Sequence, residues 1–64
     1  MVKINGKDES TAGITVSDYL LSNGYDIRRV AVEKNGYIVP KSKYEAVYLL
    51  DGDVVEVVSF VGGG

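Results

Sequence analysis

An α+β fold, a mixed sheet of four to five strands packed on one helix, is what three features of this 64-residue chain predict. The first is the run Val54–Val61, where every residue except Glu56 and Ser59 is β-branched or aromatic, a composition suited to a pleated strand. The second is a pair of Asn-Gly dipeptides, Asn5-Gly6 and Asn35-Gly36. Asn-Gly is a strong hairpin signal because both central positions of a type I′ turn need φ > 0. The third is one helical segment that is too short to be stable away from a sheet.

In chain order, Met1–Asn5 and Lys7–Thr11 are expected to form the first hairpin, with Val2 and Ile4 inward. Three charges on Lys7-Asp8-Glu9 suit an edge strand kept from pairing further. Thr15 is placed to cap a helix over Val16–Ser22, and Asp18 stands near the positive end of its dipole. Ile14 and Tyr19 occupy hydrophobic-staple positions. Val16, Leu20 and Leu21 are expected to form the apolar stripe, and Gly24 supplies a left-handed C-terminal cap. Arg29–Glu33 reads as a third strand with Val30 and Val32 inward. Tyr37–Val39 returns as a short fourth strand, closed by Pro40 at a sheet edge. Lys41–Tyr48 is expected to be a loop or short 3₁₀ turn with Tyr44 and Val47 inward. Leu49 and Leu50 are expected to be buried, and Asp51-Gly52-Asp53 to turn into the last strand.

That last strand is apolar on nearly both faces, which suits the middle of a sheet. Val55, Val57, Ser59 and Val61 form one set; Val54, Glu56, Val58 and Phe60 form the other. Slotted beside the first strand, it completes a β-grasp layout. The expected organisation is a β-grasp domain over 1–61 and a flexible glycine tail over 62–64, reaching about 13 Å from Val61 to the carboxylate when extended.

Composition narrows the chemistry. Hydrophobic content of 45% and charged content of 25% are those of an ordinary globular domain. A net charge of −2 with mixed signs offers no footprint for nucleic acid and no polybasic membrane segment. No apolar run approaches a membrane span or a signal peptide, so a cytoplasmic protein is expected. The chain contains no cysteine and no histidine. It therefore has no thiol nucleophile and lacks the commonest general base and metal ligand. An enzyme is not expected, nor a bound metal.

Two features admit both an ordinary and a functional reading. Gly62, Gly63 and Gly64 read as a frayed terminus or as a thin, activatable end. Val54, Val58 and Phe60 read as sheet packing and scattered surface residues or, with Glu56 marking their side as solvated, as a partner docking face. Asp51 and Asp53 lack the further ligands of a calcium loop. Tyr19, Tyr25, Tyr37, Tyr44 and Tyr48 are expected to be half-buried packing residues.

Taken together, several short pieces resemble the ThiS family of ubiquitin-like sulfur carriers. They are Asn5-Gly6, Thr15-Val16 with Leu20-Leu21, Val30-Ala31-Val32-Glu33 with Asn35-Gly36, Ile38-Val39-Pro40, Tyr44, Asp51-Gly52-Asp53 and the final Gly63-Gly64. They span the chain in order. Lys41 and Tyr44 stand where the family often has arginine and tryptophan, and Gly62 is an additional glycine.

The resemblance implies a carrier without catalytic residues of its own. An E1-like adenylating enzyme (ThiF type) would use ATP to adenylate Gly64, with Gly62 and Gly63 threading the partner's active site. A cysteine desulfurase pathway would supply sulfur for a terminal thiocarboxylate. Thiazole synthase (ThiG type) would receive that sulfur in thiamine biosynthesis. ATP belongs to the partner, and no cofactor is expected on this chain. The molybdopterin-synthase small subunit, a ubiquitin-like modifier of lysines, and a plain binding module with an inert tail are the alternatives. An ionised α-carboxylate, with a pKa of about 3.5, needs a leaving group before sulfur can attack it. With no cysteine present, sulfur could be held covalently only at the carboxyl end.

Overall fold

The Asn-Gly turns and the Val-rich closing run build a single five-stranded sheet in the computed structural model, which describes residues 1–60. The strands are β1 (Val2–Ile4), β2 (Lys7–Glu9), β3 (Val30–Lys34), β4 (Tyr37–Val39) and β5 (Val54–Ser59), in the spatial order β2-β1-β5-β3-β4. One helix, α1 (Val16–Ser22), crosses from the first hairpin to the second, and 3₁₀ turns lie at Ile27–Arg29 and Lys41–Lys43. β5 is central, parallel to β1 and antiparallel to β3. Val61, Gly62, Gly63 and Gly64, including the expected tail, lie outside the described residues.

Both hairpins turn as the dipeptides require, with φ of 50° and 83° at Asn5-Gly6 and 53° and 84° at Asn35-Gly36. The asparagines also reach across to β5. Asn5 Nδ2 donates to Val57 O at 3.1 Å, and Val57 N donates to Asn5 Oδ1 at 2.8 Å. β1 itself is registered with β5 only at Lys3 with Val54 and Ile4 with Val55, so the Asn5 amide stands in for a further residue of the ladder. At the other turn, Val54 N donates to Asn35 Oδ1 at 2.9 Å, while Asn35 N donates to Val54 O at 2.7 Å. Each turn residue thus satisfies central-strand backbone groups that would otherwise be left without partners.

Asp53 joins this arrangement just ahead of β5. Its carboxylate accepts from Asn35 Nδ2 at 2.9 Å and Leu50 N at 2.8 Å, and lies 3.4 Å from Lys34 Nζ. Burial alone would raise its pKa. The Asn35 and Leu50 hydrogen bonds and the Lys34 ammonium outweigh burial and hold the carboxyl below its usual value.

The helix begins where Thr15 Oγ1 accepts from Asp18 N at 3.0 Å. Two more first-turn amides are used by the connector, Val16 N donating to Val47 O and Ser17 N to Tyr44 O, which ties the 44–47 segment to the helix start. The helix ends at Gly24 (φ 77°), with Gly24 N donating to Leu21 O and Tyr25 N to Leu20 O, the paired bonds of a Schellman cap. Val16, Tyr19 and Leu20 pack with Val2, Ile4, Val30, Val32, Val39, Tyr44, Leu49, Val55 and Val57 in one core. Tyr19 also donates its hydroxyl to Glu9 at 3.2 Å, linking the helix to the edge strand β2. Burial first, then the Glu9 charge, pushes its pKa up to about 12.

Several sequence expectations are corrected. Leu21 is 62% exposed, because the short helix presents one stripe to the sheet and Val16, Tyr19 and Leu20 fill it. Leu50 is 55% exposed; its backbone closes the turn onto Asp53, and its side chain stays outside the core. Tyr37 and Tyr48 are exposed and Tyr19 is buried where half-burial was expected; Tyr44 is buried, inward as its segment predicted, and Tyr25 is half-buried. The first hairpin strands are shorter at both outer ends than Met1–Asn5 and Lys7–Thr11. β5 is central as expected, yet only Val55 and Val57 of its valines are buried, since one helix covers one face of the sheet.

Two stability outcomes follow. Asn5→Gly keeps the left-handed turn but loses both bonds to Val57, so urea unfolding should show a loss of about 1–3 kcal/mol. Asn5→Ala adds the strain of φ > 0 and should lose roughly 1 kcal/mol more. For Asp53, the lowered folded pKa means its contribution is present above the unfolded value and is lost as pH falls through the folded one. Unfolding free energy measured against pH should therefore decline below about pH 4, and Asp53→Asn should flatten that decline.

Candidate functional site

The sheet holds β5 almost to the end of the described chain. The β3–β5 register runs from Lys34 opposite Val55 to Val30 opposite Ser59. One residue further on, Phe60 N still donates to Arg29 O at 2.7 Å. Backbone pairing therefore fixes the chain's direction up to Phe60, the last described residue. The expected modification site Gly64 and the approach residues Gly62 and Gly63 lie beyond it, outside the described residues.

Strand alternation puts Val54, Glu56, Val58 and Phe60 on the helix-free face. Val54, Val58 and Phe60 are 48%, 54% and 55% exposed, so the three expected docking residues follow one another along β5 and the residue just past it. Ala31 lies opposite Val58, Glu33 opposite Glu56, and Ile38 of β4 opposite Glu33. Ile38 is also exposed. On the far side of β5, Lys3 is registered beside Val54 and faces Asp8 across β1 and β2. The result is an apolar strip along the centre of the sheet, interrupted by two carboxylates.

Ile38, Ala31 and Glu33 were not singled out as site residues from the sequence. Their periodicity was visible, but which of them flanks β5 depends on strand register. Asn5, Asn35 and Asp53 were read as turn residues only. The available signal was the repeated Asn-Gly before or after a strand next to the central one, but a dipeptide does not reveal where its side chain bonds.

Elsewhere the described residues offer little for chemistry on a bound small molecule. An open concavity of about 330 Å³ runs along β4, lined by Lys34, Tyr37, Ile38, Pro40, Lys43 and Val47 among others. It gathers lysines and apolar groups without an acid–base pair, and it lies away from Phe60 on a different strand. Among the described residues no group of three or more potential metal ligands comes together, and no helix is long and apolar enough to cross a membrane.

The comparisons with known proteins agree with this layout. The model of the ThiS family matches residues 2–64. The sulfur carrier protein ThiS of Bacillus subtilis is 43% identical over 67 residues, covering all of both chains. A thiazole synthase of Paramagnetospirillum magneticum is 50% identical over 62 residues, covering 95% of this chain and 19% of that protein. A second, from Magnetococcus marinus, is 39% identical over 98% of this chain and 20% of that protein. The chain thus spans about a fifth of the thiazole synthases it matches and the full length of the Bacillus protein. The crystal structure of a thiamine biosynthesis protein, ThiS, from Geobacter metallireducens superposes with a TM-score of 0.79 at 31% identity, over 98% of this chain and 97% of that one. The sequence match runs on to Gly64 and the structural likeness is that of the β-grasp fold, and this chain belongs to the ThiS family.

Proposed function

We propose that this chain is a sulfur carrier of thiamine biosynthesis whose Gly64 carboxylate is the group that carries the sulfur. The observation that supports it most is the full-length match to a sulfur carrier protein, including the terminal Gly63-Gly64, on a fold whose central strand runs toward that end. The chemistry proceeds in three exchanges. In the site of an E1-like adenylating enzyme, the Gly64 carboxylate attacks the α-phosphorus of ATP; pyrophosphate leaves and a mixed anhydride with AMP forms. A persulfide of the cysteine desulfurase pathway then attacks the activated carbonyl through its outer sulfur and AMP leaves; a reducing thiol attacks the inner sulfur of the resulting acyl disulfide, so that the Gly64 thiocarboxylate is released and the thiol is left in a disulfide.

Thiazole synthase is the acceptor in this reading. Its support is the presence of a segment like this chain within proteins of that name. Gly62 and Gly63 carry no Cβ, so a narrow partner channel can admit them. Ordering each residue costs about 1–2 kcal/mol. Docking of the folded body through Val54, Val58 and Phe60 offsets that cost. ATP is held by the partner, no cofactor is needed here, and all the reactions take place in the cytoplasm.

Intact mass after incubation with the E1-like enzyme, ATP and a sulfur source should show one oxygen replaced by one sulfur. Deleting Gly63-Gly64 should abolish the change, and absence of any change in the intact chain contradicts the reading. Phe60→Ala, at an exposed position, should leave thermal unfolding nearly unchanged and slow modification about three- to tenfold at limiting carrier.

A further inference from the structure

Among the described residues, the end of β5 is held from one side only. β1 is registered with β5 no further than Val55, and the Asn5 amide reaches no further than Val57. Beyond that point the pairing is with β3, Ala31 opposite Val58 and Val30 opposite Ser59. The last hold is the bond from Phe60 N to Arg29 O, and Arg29 belongs to the 3₁₀ turn Ile27–Arg29 ahead of β3. Whatever fixes that turn therefore fixes where the chain leaves the sheet, four positions before Gly64.

Two side chains from outside the strands fix it. Asp26 caps the turn: its Oδ1 accepts from Arg28 N at 3.0 Å, and its carbonyl accepts from Arg29 N at 2.9 Å. The same carboxylate lies 3.3 Å from Arg28 Nε and 3.7 Å from Arg29 Nε. From the other side, Lys41 Nζ donates to Arg28 O at 2.7 Å, the carbonyl next to the one that accepts from Phe60. Lys41 opens the second 3₁₀ turn, just after β4 and Pro40, so this charge-assisted bond ties the exit of β5 to the edge of the sheet. A three-residue turn has no stability of its own, and without these contacts nothing but the Phe60 bond itself would orient the Arg29 carbonyl. Asp26, Arg28, Arg29 and Lys41 are all exposed, so their ion pairs add little to global stability. Their effect is local.

We propose that Asp26 and Lys41 are positioning residues for the carrier's terminus, holding the Arg29 carbonyl so that Phe60 is already ordered when a partner takes up Gly64. This inference rests on the carrier reading above, and it applies to any partner site that receives the terminus. Ordering one residue before docking lowers the apparent Kd about five- to thirtyfold. It acts on binding and leaves the chemical step to the partner.

The test combines amide hydrogen exchange in the free full-length carrier with pyrophosphate release by the E1-like enzyme as carrier concentration is varied. One variant joins Asp26→Ala to Lys41→Met, which leaves the net charge unchanged; a second joins Asp26→Asn to Lys41→Arg. Lys43→Met is the control for losing a lysine from the same turn. In the first variant, Phe60 should exchange through a local opening while Val57 stays near its wild-type rate, and KM for the carrier should rise about fivefold with kcat unchanged. The second keeps an acceptor for Arg28 N and a cationic donor for Arg28 O, so it should restore both readouts. Lys43→Met should match the wild type. Phe60 exchange or a KM that does not move in the first variant overturns the positioning role while the carrier reading stands. So does exchange that rises equally at Val57, a second variant that restores neither readout, or a KM that rises as far in Lys43→Met. Wild-type carrier that elicits no pyrophosphate release at any concentration overturns both.

Discussion

The rest of the structure depends on how β5 is held. It is the last strand in the chain and the middle strand of the sheet, so neither neighbour reaches it through a hairpin. β1 is paired to it at only two registered positions. The deficit is met by side chains: the Asn5 amide bonds both backbone groups of Val57, and the Asn35 amide joins Val54 to Asp53. A residue chosen for its tolerance of positive φ thereby does a second task, closing the central ladder from each side. Few other side chains combine those abilities, since the position needs a short amide able both to donate and to accept.

From that constraint follows the division of the molecule into two faces. Val55 and Val57 point into the core beneath α1, and the intervening residues face outward beside Glu33 and Ile38. A single short helix has only enough surface to cover one side of the sheet. In an isolated domain the other side would be better served by polar residues throughout. Here it keeps Val54, Val58 and Phe60 exposed, with Glu56 of β5 opposed to Glu33 of β3, an arrangement that suits the proposed docking role. The chain needs no cavity or catalytic base of its own for that role.

Much of this was legible in the sequence, for physical reasons that can be named. The helix limits followed from a capping threonine and a C-terminal glycine, local signals that act within a turn or two. The two hairpins followed from Asn-Gly, and the central place of β5 from its apolar character. What was not legible depended on contacts distant in the chain. Leu21 and Leu50 were expected inside because apolar residues usually are, but a small sheet and one helical stripe left them no place. The role of Asn5 spans 52 positions to Val57, and that of Asn35 reaches 19 positions to Val54. The opposition of Glu33 and Glu56 is a matter of strand register, which no local pattern specifies. The proposed chemistry at Gly64 came from the resemblance and the absence of cysteine, not from any geometry.

Native-state amide hydrogen exchange tests the central claim most directly, read at the Val54, Val57 and Phe60 amides across a series of low urea concentrations. If the asparagine clamps and the Arg29 carbonyl hold β5 as part of the cooperative core, all three amides exchange only through global unfolding and share its dependence on urea. Exchange at Val57 and Phe60 through a local opening that is insensitive to urea would contradict it: the strand would then be loosely held, and the terminus would have no rigid body behind it.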